Sequence, residues 1–337
     1  MILTTGGTGY IGSHTVVELL NAGFEVLIVD DLSNSERKVV ERIEKITNKK
    51  VVFEEMDLKD KVKTFEIFEK YPNIEAIVHF AASKAVGESV EKPLMYYENN
   101  IGSLINLLQA SAKYNIHNFV FSSSCTVYGQ PDVLPVTEST PRRDAESPYG
   151  NTKKIAEDIL RDTSFADKTF KSIALRYFNP IGAHATGTIG ELPRGVPNNL
   201  VPFVTQTAYG LRKELSIFGD TYNTSDGTCI RDYINVVDLA KAHVIAIKRL
   251  LENKNKSNYE FFNIGTGKGS TVLEIVKAFE KSTGVKVNYK IVEKRPGDIE
   301  KIWADTSYAN DELGWKAETS LEDTLASAWK WEKNFRG

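Results

Sequence analysis

Cysteine, long apolar runs, clustered histidine and an excess of basic charge are what this 337-residue sequence lacks. Its two cysteines, Cys125 and Cys229, allow at most one disulfide. So few thiols, with no secretory pattern around Met1–Thr5, lead us to expect a protein of the reducing cytoplasm. No apolar stretch approaches membrane-spanning length, so no membrane is expected as a partner. Lys and Arg total 42 against 45 Asp and Glu, a net charge of -3. Nucleic acid as a partner would need a clustered basic excess and is not expected, whereas an anionic small molecule needs only two or three placed arginines. His14, His79, His117, His184 and His243 show no ligand spacing, so no metal is assigned. Repeats and low-complexity tracts are also missing; Glu252–Lys256 reads as a solvated charge run.

What is present is alternation. Short apolar segments at Ile2–Thr5, Glu25–Val29, Val51–Glu55, Ala76–Phe80, Phe119–Ser122 and Ser172–Arg176 read as strands. Between them, His14–Asn21, Leu104–Tyr114 and Lys154–Asp162 have amphipathic helical spacing. Strand–helix alternation predicts parallel βαβ units, hence an α/β fold with a doubly wound parallel sheet. Beyond Asn179 the pattern weakens through a Gly- and Pro-punctuated stretch, which predicts a smaller mixed α/β lobe. A strand–helix unit at Asp232–Leu251 and a strand at Phe261–Ile264 are expected to return to the main sheet. The lobes are then interleaved: residues 1–180 plus about 232–265, and about 181–231 plus 266–337. Asp238 is expected to cap the helix at Leu239–Leu250.

Gly6, Gly9 and Gly12 lie between the first strand and a helix expected to begin near Ser13. Glycines there permit a tight turn and close approach of backbone to a pyrophosphate, which the helix amides and dipole then stabilise. Asp30 ends the second strand, where a carboxylate bonds the ribose hydroxyls and repels a 2′-phosphate, so NAD is expected over NADP. Asp31 is placed to share that work.

Tyr149 and Lys153 stand four residues apart at the start of a helical stretch after Pro148, on one face. A free phenol has a pKa of about 10, too high for a base at neutral pH. The ammonium of Lys153 and the charge of NAD⁺ are expected to lower it, letting the phenolate take a hydroxyl proton while hydride leaves the same carbon. Ser122, Ser123 and Ser124 end a parallel strand facing the ligand crevice, and Ser124 is expected to bond the reacting oxygen.

Loop, serines and Tyr-Lys pair in this order resemble the extended short-chain dehydrogenase/reductase superfamily, and most closely its UDP-glucose 4-epimerase (UDP-galactose 4-epimerase) family. The resemblance covers nearly the whole chain, through His79-Phe80-Ala81, Lys84–Ser89, Ser122–Gly129 and Arg176–Pro180. It continues at Pro197–Leu200, Arg231–Ile234 and Arg295-Pro296-Gly297-Asp298. By resemblance, Tyr10, Ile11, Asp57, Leu58, Phe80, Lys84, Asn99 and Tyr177 join the NAD contacts, with Phe80 as packing beneath the cofactor. Asn179, Asn199, Leu200, Phe218, Arg231, Arg295, Asp298 and Ile302 are implied for a UDP-hexose substrate. Guanidinium forks suit its diphosphate. A homodimer through Leu104–Tyr114 and the Tyr149 helix is likewise implied.

Dehydratases of this branch carry an Asp-Glu pair before Val-Tyr-Gly; here Cys125-Thr126 precede Val127-Tyr128-Gly129 and supply no carboxylate. That disfavours dehydration and leaves epimerisation at C4 through a transient 4-keto sugar. A UDP-sugar decarboxylase or 4-reductase is the same-scaffold alternative, and a non-catalytic NAD-binding protein the alternative of another class. Ile302 stands where, in the family, a residue faces the 2-substituent of the sugar. Tyrosine there goes with plain hexoses, and smaller residues with N-acetyl hexoses.

Overall fold

The computed structural model describes residues 1–295 and 298–337; Pro296 and Gly297 of the Arg-Pro-Gly-Asp motif lie outside the described residues. Six strands enter the main sheet in sequence: β1 Ile2–Thr5, β2 Val26–Asp30, β3 Val52–Glu55, β4 Ala76–His79, β5 Asn118–Ser124 and β6 Lys171–Tyr177. Then come β7 Asn179–Ile181, β8 Leu215–Phe218, β9 Ile230–Asn235, β10 Tyr259–Ile264, β11 Gly269–Thr271, β12 Tyr289–Val292 and β13 Lys301–Ile302. The helices are α1 Tyr10–Asn21, α2 Lys38–Thr47, α3 Lys61–Lys70, α4 Val86–Glu91, α5 Pro93–Tyr97 and α6 Ser103–Lys113. They continue as α7 Pro148–Ala166, α8 Leu200–Ala208, α9 Val236–Leu251, α10 Val272–Thr283 and α11 Leu321–Arg336.

The seven-stranded sheet has the order β3-β2-β1-β4-β5-β6-β10, parallel throughout. Alternate side chains leave opposite faces, so a strand covered on both sides is apolar at every position. Ile2, Ile28, Val78 and Val120 pack with α1 and α9 on one face. Leu3, Leu27, Ile77 and Phe119 pack with α3, α6 and α7 on the other. Strand order reverses between β1 and β4, which opens a crevice at their carboxyl ends.

The return to the main sheet occurs only in part. β10 pairs with β6 as expected, and α9 covers the sheet through Leu239, Ala242 and Ile247. β9, however, pairs with β7, β11 and β13 in a second sheet. β7 follows β6 after a single residue and carries the chain off the main sheet, and its pairing captures β9. Helix α9 is capped by Asn235, whose side chain accepts from Val237 N and Asp238 N, rather than by Asp238. The Asp238 carboxylate instead accepts from the Glu318 and Thr319 amides and so fixes the approach to α11. α8, α10 and α11 close a separate core over β8. No helix among the described residues is long and apolar enough to cross a membrane.

Candidate active site

The glycine loop lies at the crevice. Helix α1 begins at Tyr10 with Gly9 as its cap, one turn earlier than expected, because the backbone turns directly out of β1. Gly6 has φ +67°, and a Cβ on it would lie 2.7 Å from the Ala81 amide nitrogen at the exit of β4. A Cβ on Gly12 would lie 2.2 Å from the Gly6 carbonyl oxygen, so neither position accepts a side chain. Backbone at such close quarters, with a helix N-terminus aimed out of it, fits a dinucleotide pyrophosphate. Asp30 is buried, and its carboxylate accepts from Thr8 N at 3.1 Å, Leu32 N at 3.0 Å and the Ser35 hydroxyl at 3.0 Å. It thereby ties the glycine loop to the loop after β2. Asp31 is exposed and accepts from the Ser33 amide and hydroxyl.

Around this loop the other expected cofactor residues divide. Phe80 packs on the sheet, its ring 4.7 Å from that of His243. Ile11 packs against the same core. Leu58 is a core residue behind the sheet, and Asp57 receives the Lys59 amide at the β3 edge, farthest from the serines. The Tyr10 hydroxyl reaches the turn after β7 and donates to the Gly182 carbonyl at 2.7 Å. Lys84 lies 3.5 Å from Glu191, a residue that also accepts from Asn199 at 2.6 Å. Asn99 reaches Ser83, but its neighbour Asn100 is the more deeply placed. The Asn100 amide group accepts from Ser83 N and donates to Thr152 on α7.

Serines and the Tyr-Lys pair meet where β5 and α7 pack together. Ser147 caps α7 through the Gly150 amide and Pro148 occupies its first turn, which presents Tyr149 and Lys153 on the inward face. Lys153 is buried, its Nζ donating to the Ser122 carbonyl at 2.6 Å and sitting 4.8 Å from the Phe121 ring centroid. It lies 5.9 Å from the Tyr149 ring centroid. The Tyr177 hydroxyl bonds the Ser122 hydroxyl. Burial pushes the Tyr149 phenol up to about 12, the Cys125 thiol adds to the rise, and the Ser124 hydroxyl opposes it. Burial brings Lys153 down to about 7, with the Glu157 carboxylate working the other way. The expected lowering of the phenol is therefore not a property of these protein groups alone, because desolvation outweighs them. Cys125 and Cys229 are both free and buried.

Beside the second sheet, Arg231 and Arg295 converge on one carboxylate. Arg295 donates to Asp298 through Nε and Nη2, both at 3.0 Å, and Arg231 lies 3.7 Å from it. The Arg295 guanidinium covers the Phe218 ring at 4.8 Å. Ile302 pairs with Arg231 across β13 and β9 and is buried among Cys125, Tyr128 and Phe178. Asn179 opens β7 opposite Tyr233, while Asn199 and Leu200 start α8. Three contributors escaped the sequence reading. Asp232 is fully buried and receives the amides of Thr266, Gly267 and Ala304, anchoring the strand that carries Arg231. Arg194, in the segment between β7 and α8, donates to the Ser33 carbonyl at 2.8 Å, and Glu157 lies beneath the serines. Only Glu157, at helical spacing from Lys153, left a readable sign.

A model of the GDP-mannose 4,6 dehydratase family matches residues 3–328. The UDP-glucose 4-epimerase of Haemophilus influenzae is 50% identical over 333 residues, 99% of this chain and 97% of that protein. Two crystal structures, each 46% identical, overlap 99% of this chain and 98% of their own. They are the UDP-glucose 4-epimerase of Stenotrophomonas maltophila with bound NAD and formylated UDP-arabinopyranose, TM-score 0.96, and that of Bifidobacterium longum in complex with NAD⁺ and UDP, TM-score 0.94.

Proposed function

The chain belongs to the UDP-glucose 4-epimerase family, and on that premise we propose that it interconverts UDP-glucose and UDP-galactose at C4 through a transient 4-keto sugar. The observation that carries the reading is the meeting of Ser124, Tyr149 and Lys153, followed by Cys125 and Thr126, with no carboxylate for dehydration. NAD, when bound in the glycine loop, supplies a hydride acceptor and then a donor. Tyr149 holds and returns the proton of the 4-hydroxyl, Ser124 bonds that oxygen, and Lys153 keeps positive charge beside the phenolate. Gly6, Gly9, Gly12, Asp30, Lys84 and Asn99 are assigned to the cofactor.

Arg231 and Arg295 are assigned to the diphosphate. Affinity then resides in the nucleotide part, and the sugar is free to present either face. The NAD lobe is taken as residues 1–180 with the α9–β10 return, and the UDP-sugar lobe as the remainder. A homodimer is supported by exposed Ile105 on α6 and Phe165 on α7, and a reducing cytoplasmic setting by two buried free thiols.

The test incubates purified protein with UDP-galactose and separates the UDP-hexoses. UDP-glucose is expected; its failure to appear even with NAD⁺ supplied overturns the reading. Release of CO₂ from UDP-glucuronate, or stoichiometric consumption of NADH, would favour the decarboxylase or the reductase.

A further inference from the structure

The three serines at the end of β5 do not face the same way. The Ser122 hydroxyl meets Tyr177 and Ser124 acts on Tyr149, whereas the Ser123 hydroxyl leaves the opposite face of the strand and donates to Glu157 Oε1 at 2.6 Å. Glu157 stands four residues beyond Lys153 on α7, and its side chain is fully buried. Arg176 of β6 grips the same carboxylate through Nε at 2.8 Å and Nη2 at 2.6 Å. Arg142 approaches at 3.3 Å, and Arg176 passes on to the Tyr128 hydroxyl at 3.0 Å, which in turn donates to Asn263.

A carboxylate buried this deeply is stabilised only with all its partners in place. It ties β5, β6 and α7 together directly behind the reacting groups. We propose that Glu157 is a positioning residue for the Tyr149–Lys153 pair: bonded to Ser123 and oriented by Arg176, it fixes the register of α7 on β5 and places a negative charge beneath Lys153. This rests on the epimerase reading of the same site.

Other groups face the pair as well. Around Lys153 and Tyr149 stand His79 of β4, Tyr96 of α5, Tyr177 of β6 and Cys125; around Glu157 stand Arg142, Arg176 and Tyr259 of β10. Among the described residues, Glu157 is the charged group that supports the Lys153 ammonium.

The experiment uses full-length enzyme with bound NAD and separates charge from contact. Glu157→Gln keeps the size and an acceptor for Ser123 but removes the charge; Ser123→Ala keeps the charge and removes the contact. For Glu157→Gln, kcat falls roughly 10- to 100-fold at little change in KM, as misplacement of reacting groups by a fraction of an ångström requires. The basic limb of its pH–kcat profile also moves to lower pH, because Lys153 gives up its proton sooner. Ser123→Ala lowers kcat without moving the profile. Wild-type kcat in Glu157→Gln, or a lowered kcat on an unmoved profile, overturns the proposal. Should that variant fail to fold, Glu157→Gln with Arg176→Met removes both buried charges and is judged by the same shift. Absence of epimerase activity in the wild type would refute the parent reading instead, so the two failures are distinguishable.

Discussion

Lys153 donates to the Ser122 carbonyl at 2.6 Å from a site with almost no solvent; the contact fixes the ammonium beside Tyr149, while the burial disfavours its charge. Burial brings its pKa from the free lysine value down to about 7. A folded pKa below the unfolded one means that this lysine destabilises the fold progressively as pH falls from about 10 to about 7. Lys153→Met, similar in length, removes the buried ammonium. At pH 7 the NAD-free variant should gain roughly 1–3 kcal/mol, partly offset by the unbonded Ser122 carbonyl. Thermal denaturation reads the gain, and the same variant should lose roughly 100-fold or more in kcat. A lower Tm together with full turnover would show that the charge is neither costly nor used.

Ser124 also acts on the protonation of Tyr149. Its hydroxyl holds the phenol below the value that burial would otherwise impose. In Ser124→Ala the phenol pKa rises further, so the acidic limb of the pH–kcat profile moves to higher pH. At pH 7 turnover falls roughly 10- to 100-fold. Steady-state kinetics from pH 6 to 9 with UDP-galactose measure both; an acidic limb that stays put would exclude Ser124 from the proton transfer.

Acid should unfold the protein early. His14 and His243 are lowered to about 4 and His79 to about 3, each chiefly by burial. All three are neutral in the fold, and the unfolded chain takes up their protons below pH 6.5. Their contribution is therefore present above pH 6.5 and is lost as pH falls toward 4, at a limiting slope of ~4 kcal/mol per pH unit for three groups. Urea denaturation at pH 7.5, 6 and 5 should show the midpoint falling steeply. A flat midpoint over that range would mean that the imidazoles are hydrated or charged in the fold.

The parallel sheet was legible because strands covered on both faces are apolar at every position, as Val26–Val29 and Ile2–Leu3 are. The glycine loop was legible because its spacing reflects backbone contact, which Gly6 and Gly12 bear out sterically. Pairing is not local, so nothing within Ile230–Asn235 told that β9 would leave with β7. The sequence offers both Asn235 and Asp238 as cap types at the start of α9, and only the backbone there shows that Asn235 receives the amides. The direction of the Tyr149 shift was out of reach for another reason: it is a contest between nearby charge and desolvation, and only burial decides it. Glu157 stood at a visible spacing, but its partners Ser123 and Arg176 come from two other strands.

Ile302 bears on substrate range. It is buried on β13, paired with Arg231 and packed against Cys125 and Phe178, so it abuts both the proposed diphosphate arginine and the residue after Ser124. A branched aliphatic chain there leaves more room than a tyrosine ring. We therefore expect the wild type to turn over UDP-GlcNAc detectably, more slowly than UDP-galactose. Ile302→Tyr should suppress the N-acetyl activity by roughly 10-fold or more, as steric exclusion of an acetamido group implies, and spare the plain hexose. Because the added ring must displace Cys125 or Phe178, a small drop in Tm is expected too. Chromatography of UDP-GlcNAc and UDP-GalNAc after incubation with each enzyme gives the answer. No UDP-GlcNAc turnover by the wild type, under conditions that convert UDP-galactose, would show that Ile302 closes the site as tyrosine does.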